Sequence, residues 1–557
     1  MDTLGRIGIF GGRLSLGRGL QVAVVVLVVG GAGVRAQGAV ASPQDKAPAA
    51  GQSAPATPAP VTPQEETPQD DGGTPQNLQP EQPAGVMSKA DESALLAEMG
   101  KTFEFVSKDT GLEIKHPIKG RFTSREDVNK MLRKKFDEDK STKRMERDEL
   151  VLKKFGLLDQ SFEMRSFLLS LLTEQIAGFY DNKTKEMTLL DWVPADQQKP
   201  VMAHELTHAL QDQRVGLTKW GDQEILAVAK DVGEDNQHIR IDETDTAREA
   251  VLEGQAMVSF ADYMLRDTGR TLKDMPQVGD KLRDGAGDMS DSPVLARAPL
   301  LLQQALLFPY TTGLEFEQDI LVKKGTARAF AGVLDHPPSS SFEIMHPDAY
   351  LAHAVVPVMI MPDIHPMLTE AGYEPYDIGV MGELDVRITA ELFGGRPLAE
   401  ALAPNWDGGI YYAAQRKNAT AAEKNTTASL GLMYSSRWKN EDSAKSFFTV
   451  FEEELPRQYD GLKRRKKDEV DDTERVYSTR EGDVLLTVAD NRVFVSEGFD
   501  VALARKMRDA VDAVQGVGPV QQAGVQGTGS RGQGVGGELV GGLSTWMGGF
   551  GMVLPVR

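Results

Sequence analysis

The sequence predicts an α+β fold. A mainly helical domain over 88–375 carries a small sheet or hairpin near 179–190, and a C-terminal α+β portion over 376–512 is built on antiparallel strands. Three observations lead there. Apolar residues recur at helical spacing in much of the first part, as Leu95, Leu96, Met99, Phe103 and Val106 do within 90–107. The run Glu186-Met187-Thr188-Leu189-Leu190 follows turn-forming Asp181-Asn182-Lys183, which reads as a hairpin. From about 376 strand-like runs (SLGLMYSSRW at 429–438, then RVYSTR, DVLLTVAD and NRVFVSEGF) surround a single helix near 441–454.

Taken in order, the chain starts with Arg6, Arg13 and Arg18 against Asp2, then an uncharged run, GLQVAVVVLVVGGAGV, over 19–34. Val34-Arg35-Ala36 offers a cleavage site after Ala36, so 1–36 reads as a signal peptide. The run has 16 residues, short of the ~20 that a spanning helix needs, and an uncleaved membrane anchor is the alternative. Residues 37–87 are rich in Pro, Ala, Gln and Thr, with too little apolar surface to offset ordering entropy, and read as a disordered linker. A strand is expected over 112–122. Thr123-Ser124-Arg125-Glu126 gives a helix start with a capping signal. Helices are expected over 143–176, 242–266, 296–307, 311–323 and 379–393. The Gly-rich segment 513–557 reads as a disordered tail.

Bulk composition narrows the function. The 557 residues carry 62 basic and 82 acidic side chains, a net charge of −20, which argues against a general nucleic-acid partner. The chain has no cysteine, so disulfides, thiolate metal sites and cysteine nucleophiles are excluded. Any metal must be held by His, Asp or Glu.

The stretch VMAHELTHALQDQ (201–213) places His204 and His208 four residues apart with Glu205 directly after the first. On a helix, residues four apart share a face, so both imidazoles can reach one ion at about 2.0–2.1 Å. Glu205 lies beside that face, where its carboxylate can take a proton from a water acidified by zinc. The flanks Val201, Met202, Ala203, Leu206, Ala209 and Leu210 are uncharged, as in a buried helix, and Pro200 fits its first turn. Thr207 is read as a packing residue. Zinc hydrolases use three protein ligands, and the 242–266 helix supplies two acids on one face, Glu249 and Glu253. Glu253 stands among Val251, Leu252, Ala256, Met257 and Val258, where a carboxylate needs a partner. Gly254 allows another backbone, or the metal helix, to pack closely. One of the two acids binds the metal, and the other, with Asp245, is placed to orient a ligand histidine.

AHELTHALQDQ followed by LEGQA resembles a gluzincin metallopeptidase, with two histidines on one helix and a glutamate on a later one. The Glu-Gly-x-Ala form is similar to the third-ligand segment of zinc aminopeptidases, which implies Glu253 as ligand; the thermolysin-like register would instead imply Glu249. AGFYDNKTKEMTLLD, FPYTTGLEF, PPSSSFEIMHPDAY and NWDGGIYY resemble segments of a little-characterised family of bacterial exported metallopeptidases. The resemblance covers most of 100–500 and implies a zincin-like domain over 88–375. It also implies a group outside the zinc helices that stabilises the oxyanion: His346, Tyr350 and Tyr310 are the candidates. His116, His238, His336, His353 and His365 carry no pattern.

The expectation is therefore an extracytoplasmic, Zn2+-dependent metallopeptidase acting on a peptide or protein substrate. His204, His208 and Glu253 bind the metal, and Glu205 is the general base. Leu189 and Leu190 lie where a substrate strand would be added to a sheet edge. The rivals are a zinc-containing cell-envelope scaffold without hydrolysis and a non-peptidase hydrolase on the same metal.

Overall fold

Two sheets of unequal size organise the helices. The computed structural model describes residues 86–515 except 139–140, 177, 221–230, 288 and 290–291. The signal-peptide segment, the linker up to 85 and the tail from 516 lie outside the described residues. Residues 86–515 belong to one compact unit. No helix among the described residues is long and apolar enough to cross a membrane.

The small sheet contains β1 (Lys119–Thr123), β2 (Gly178–Asp181) and β3 (Glu186–Leu190) in the order β1-β3-β2. β2 and β3 form the expected antiparallel hairpin, with Asp181 opposite Glu186. The Asp181 carboxylate accepts from the Lys183 and Thr184 amides, and Lys185 turns the chain at φ 58°. β1 is parallel to β3 and shorter than the 112–122 expected of it. β3 is paired on both sides, so Leu189 and Leu190 do not form an edge; β2 does. Next comes the Ala195–Val215 helix. It starts earlier than its sequence indicates, so Pro200 sits inside the helix rather than in its first turn. The cost of the missing N–H there is one helical hydrogen bond.

The Thr244–Leu265 helix packs on the 195–215 helix and on a third, Leu300–Lys324. The segments expected over 296–307 and 311–323 are this one continuous helix, which runs through Pro309. Its Gly313 meets Gly254. A Cβ on Gly254 would collide with the Gly313 carbonyl, and one on Gly313 with the Ala250 carbonyl. Gly254 thus admits the 300–324 helix, not the metal-motif helix.

The large sheet is antiparallel: β4 (Tyr373–Val380), β5 (Trp406–Arg416), β6 (Leu430–Trp438), β7 (Lys463–Arg464), β8 (Glu474–Thr479), β9 (Gly482–Ala489) and β10 (Arg492–Glu497), in the order β4-β5-β6-β10-β9-β8-β7. The Glu441–Gln458 helix buries Phe447, Phe451 and Leu455 in the core shared with one sheet face, and the Val501–Val514 helix buries Met507 and Val511 against the other. Both faces are covered, which is why these strands read as near-continuous apolar runs. The helix expected over 379–393 starts at Glu383, because β4 occupies the residues before it. Pro375 and Gly379 conceal that strand; Pro375 is tolerated because β4 is an edge with a bulge at 375–377. The expected boundary between 375 and 376 falls inside β4.

Candidate metal centre

The 195–215 helix is buried from Val201 to Asp212 without a break. A helix enclosed in this way must find partners for its polar side chains. Thr207 donates to the Ala203 carbonyl of its own helix, as a packing residue would. Asp212 accepts from the Tyr180 hydroxyl and the Leu217 amide and pairs with Lys185, which clamps the β2–β3 hairpin to the helix. Gly178 lets β2 approach: a Cβ there would lie 3.1 Å from Val201 and 3.6 Å from Glu205.

His204, His208 and Glu253 point their polar atoms at one another. His204 Nε2 lies 3.0 Å from Glu253 Oε2, His208 Nε2 lies 3.5 Å from the same oxygen, and the two Nε2 atoms are 3.1 Å apart. Ligand atoms about 2.0–2.1 Å from a tetrahedral ion lie about 3.3 Å from each other. The three separations bracket that value, so the donor set fits a zinc-sized cation. Among the described residues this is the group of His and acid side chains whose ligand atoms converge within 4.8 Å. All three are buried, with exposures of 0, 1 and 2 %.

Electrostatics tell the same story. Burial drives His204 down to about 4, so its imidazole is neutral. Burial would depress His208 as well, but the Glu253 and Glu205 carboxylates outweigh it and raise His208 above its usual range. Burial opposes the charge on Glu253, yet His208 and His204 hold it below the usual carboxylate range. A divalent cation bound there would supply the positive charge that now balances the Glu253 carboxylate.

Glu205 is fully buried, and neither of its carboxylate oxygens has a protein hydrogen bond of good geometry. Burial pushes it up to about 8; Glu253 adds to this, while His208 and the Tyr180 amide oppose it. A carboxylate left without partners beside three converging donors is what a base for a bound water looks like.

Glu249, the alternative ligand, is half-buried one turn before Glu253, and it is not part of the converging group. His208 Nδ1 lies 2.8 Å from Gln211 Oε1, and His204 Nδ1 has no partner. Gln211 carried a legible signal, since it stands three residues after His208 on the same helix.

The oxyanion candidates separate. His346 lies between two short helices, with Nε2 2.7 Å from Glu383 Oε2 and its ring against Phe342. The Tyr350 hydroxyl donates to the His336 carbonyl, and its ring packs on Phe316. The polar atoms of both are engaged in holding the 336–351 segment in place. Tyr310, on the 300–324 helix, is the candidate placed beside the trio: its ring lies nearly parallel to that of His204, with centroids 6.5 Å apart. Comparison of the chain with family models, curated proteins and solved structures finds no match, so the geometry of this centre is what a functional reading rests on.

Proposed function

We propose that the chain is a zinc-dependent metallopeptidase with His204, His208 and Glu253 as ligands. The observation that carries this reading is the convergence of three buried donor atoms at 3.0–3.5 Å beside an unpartnered Glu205. Zinc held by three protein ligands lowers the pKa of a water to about 7 and polarises a carbonyl. Glu205 ionises more readily beside a divalent cation than its value of about 8 implies. Its carboxylate then accepts a proton from the attacking water and delivers it to the leaving amine. Tyr310 is the nearest candidate for a donor to the oxyanion. β2 is an edge strand of the small sheet and lies against Glu205, as in a zincin-like arrangement, and a peptide added to it would require its buried residues 178–180 to be uncovered. The basic, then apolar, N-terminal segment supports an extracytoplasmic location.

Full burial of the trio favours a second reading, a closed zinc site inside a cell-envelope scaffold. The unpartnered Glu205 speaks against it, because a purely structural site has no use for an unsatisfied acid. Metal analysis of the purified chain, with peptide-library turnover measured before and after chelation, tests both. One zinc per chain with chelator-sensitive turnover is expected. Zinc without turnover supports the scaffold, and absence of zinc removes both readings.

A further inference from the structure

We infer that Gln211 and Gln255 are positioning residues that set the tautomer and orientation of His208 by tying it to the turn at 328–332. The inference rests on the metal-site reading above and adds the part of the protein that holds a ligand in place.

The direction of every hydrogen bond in the chain of contacts is fixed from its far end. Gln255 Nε2 lies 2.9 Å from the Ala329 carbonyl and 3.1 Å from that of Phe330. Carbonyls only accept, so this nitrogen is the amide NH2 and Gln255 Oε1 is free to accept. Gln211 Nε2 donates to that Oε1 at 3.0 Å and to the Leu252 carbonyl at 3.0 Å. Gln211 Oε1 therefore faces His208, where Nδ1 stands 2.8 Å away. An amide oxygen cannot donate, so Nδ1 carries the proton. In the neutral ring the lone pair is then on Nε2, the atom that faces His204 and Glu253.

The anchor is unusual backbone. Residues Arg328–Gly332 form a single π-helical turn, whose Phe330 carbonyl accepts the Val333 amide as well as Gln255. Gln255 and Gln211 are fully buried, so an unmade bond in the chain leaves a desolvated polar group without a partner. Gln255 also faces the buried Glu317 carboxylate, which its amide stabilises. Leu252 and Gln255 flank Glu253 on one helix, so the relay also joins the backbone of the third ligand to the side chain of the second.

The test uses the full-length chain with three variants and two readouts. Zinc affinity is measured by chelator competition, and the His208 Nδ1–H is followed by 15N–1H spectra of histidine-labelled protein, with and without zinc. Gln211→Leu is expected to weaken zinc 10–100-fold and to abolish the slowly exchanging Nδ1–H signal. Gln211→Leu/Gln255→Leu should cost no more than Gln211→Leu alone, because the relay is already broken. Gln211→Glu keeps an acceptor beside Nδ1 but loses the donor to Leu252 and Gln255, so it should keep the Nδ1–H signal and bind zinc more weakly than wild type; it serves if the leucine variant does not fold. Wild-type zinc affinity with an intact Nδ1–H signal in Gln211→Leu overturns the inference, as does a double variant that binds zinc much more weakly than Gln211→Leu. Wild-type protein that keeps the Nδ1–H but binds no zinc supports the orientation and removes the metal reading instead.

Discussion

His204 and His238 have much in common, and the difference between their surroundings separates a candidate metal centre from an ordinary buried pair. Both are 0 % exposed, and both face an acid: His204 Nε2 lies 3.0 Å from Glu253, His238 Nε2 3.2 Å from Asp242. Asp242, however, uses its second oxygen to accept the Val380 amide, which fastens the Val232–Ile241 helix to β4. The nearby His365–Asp235 pair is similar, a single imidazole on a single carboxylate at 2.8 Å. Around His204 a second imidazole arrives at 3.1 Å, and an acid with no partner stands beside it. A buried His–acid contact is thus a common structural tie; convergence of a third donor is the rarer feature that gives it chemical meaning.

The sharpest way to break the comparison is metal content. His204→Ala, His208→Ala and Glu253→Ala should each lose stoichiometric zinc, since two ligands hold the ion poorly. His238→Ala should keep it and show only a stability loss of about 1–3 kcal/mol for the orphaned acid. Atomic absorption with thermal melts reads both, and zinc lost equally from His238→Ala would erase the distinction. Next in size, Glu205→Gln should keep zinc while peptide hydrolysis falls by about 10²–10⁴-fold, the range of a lost general base; unchanged turnover would place the base elsewhere.

A smaller effect probes the frame. Gly254→Ala forces apart the 244–265 and 300–324 helices and should destabilise by about 1–3 kcal/mol. Gly100, on the Lys89–Thr110 helix, has nothing within 4 Å of an added Cβ. Gly100→Ala should therefore stabilise by up to ~1 kcal/mol, and urea melts giving equal effects would deny the close crossing.

The most gradual effect lies near His238. Burial lifts Glu243 to about 8, with Ser341 opposing and Asp385 adding to it. Its pKa in the unfolded chain is about 4.3. Its stabilising proton is fully bound in both states below the unfolded value, and the native preference for it is lost as pH rises to about 8. Glu243→Gln should flatten the decline of apo-protein stability between pH 5 and 7 by on the order of 1 kcal/mol per pH unit, and parallel urea titrations of the two proteins would disprove this.

Legibility followed how local the signal was. The hairpin, the His204–His208 face and the 429–438 strand are written in consecutive residues, and Glu253 was distinguishable from Glu249 by its apolar neighbours. β4 is hidden in the sequence because Pro375 and Gly379 are permitted by an edge and a bulge, which only the neighbouring strand reveals. The 300–324 helix reads as two segments about Pro309 because sequence does not show the packing that carries a helix past a proline. Long-range partners were hardest. His346 and Tyr350 looked available, yet Glu383 and the His336 carbonyl claim them. Gln255 was invisible as a partner of Gln211, 44 residues away.

Burial of the trio has a kinetic consequence. A metal ion held by residues exposed by 2 % or less would not dissociate through a static surface. Its escape would wait for a local opening, such as separation of the 195–215 and 244–265 helices, whose frequency is set by the protein. Metal exchange should therefore reach a plateau rate that more chelator cannot raise. Mildly destabilising conditions that leave the fold intact should speed exchange in parallel with amide hydrogen exchange along the same two helices.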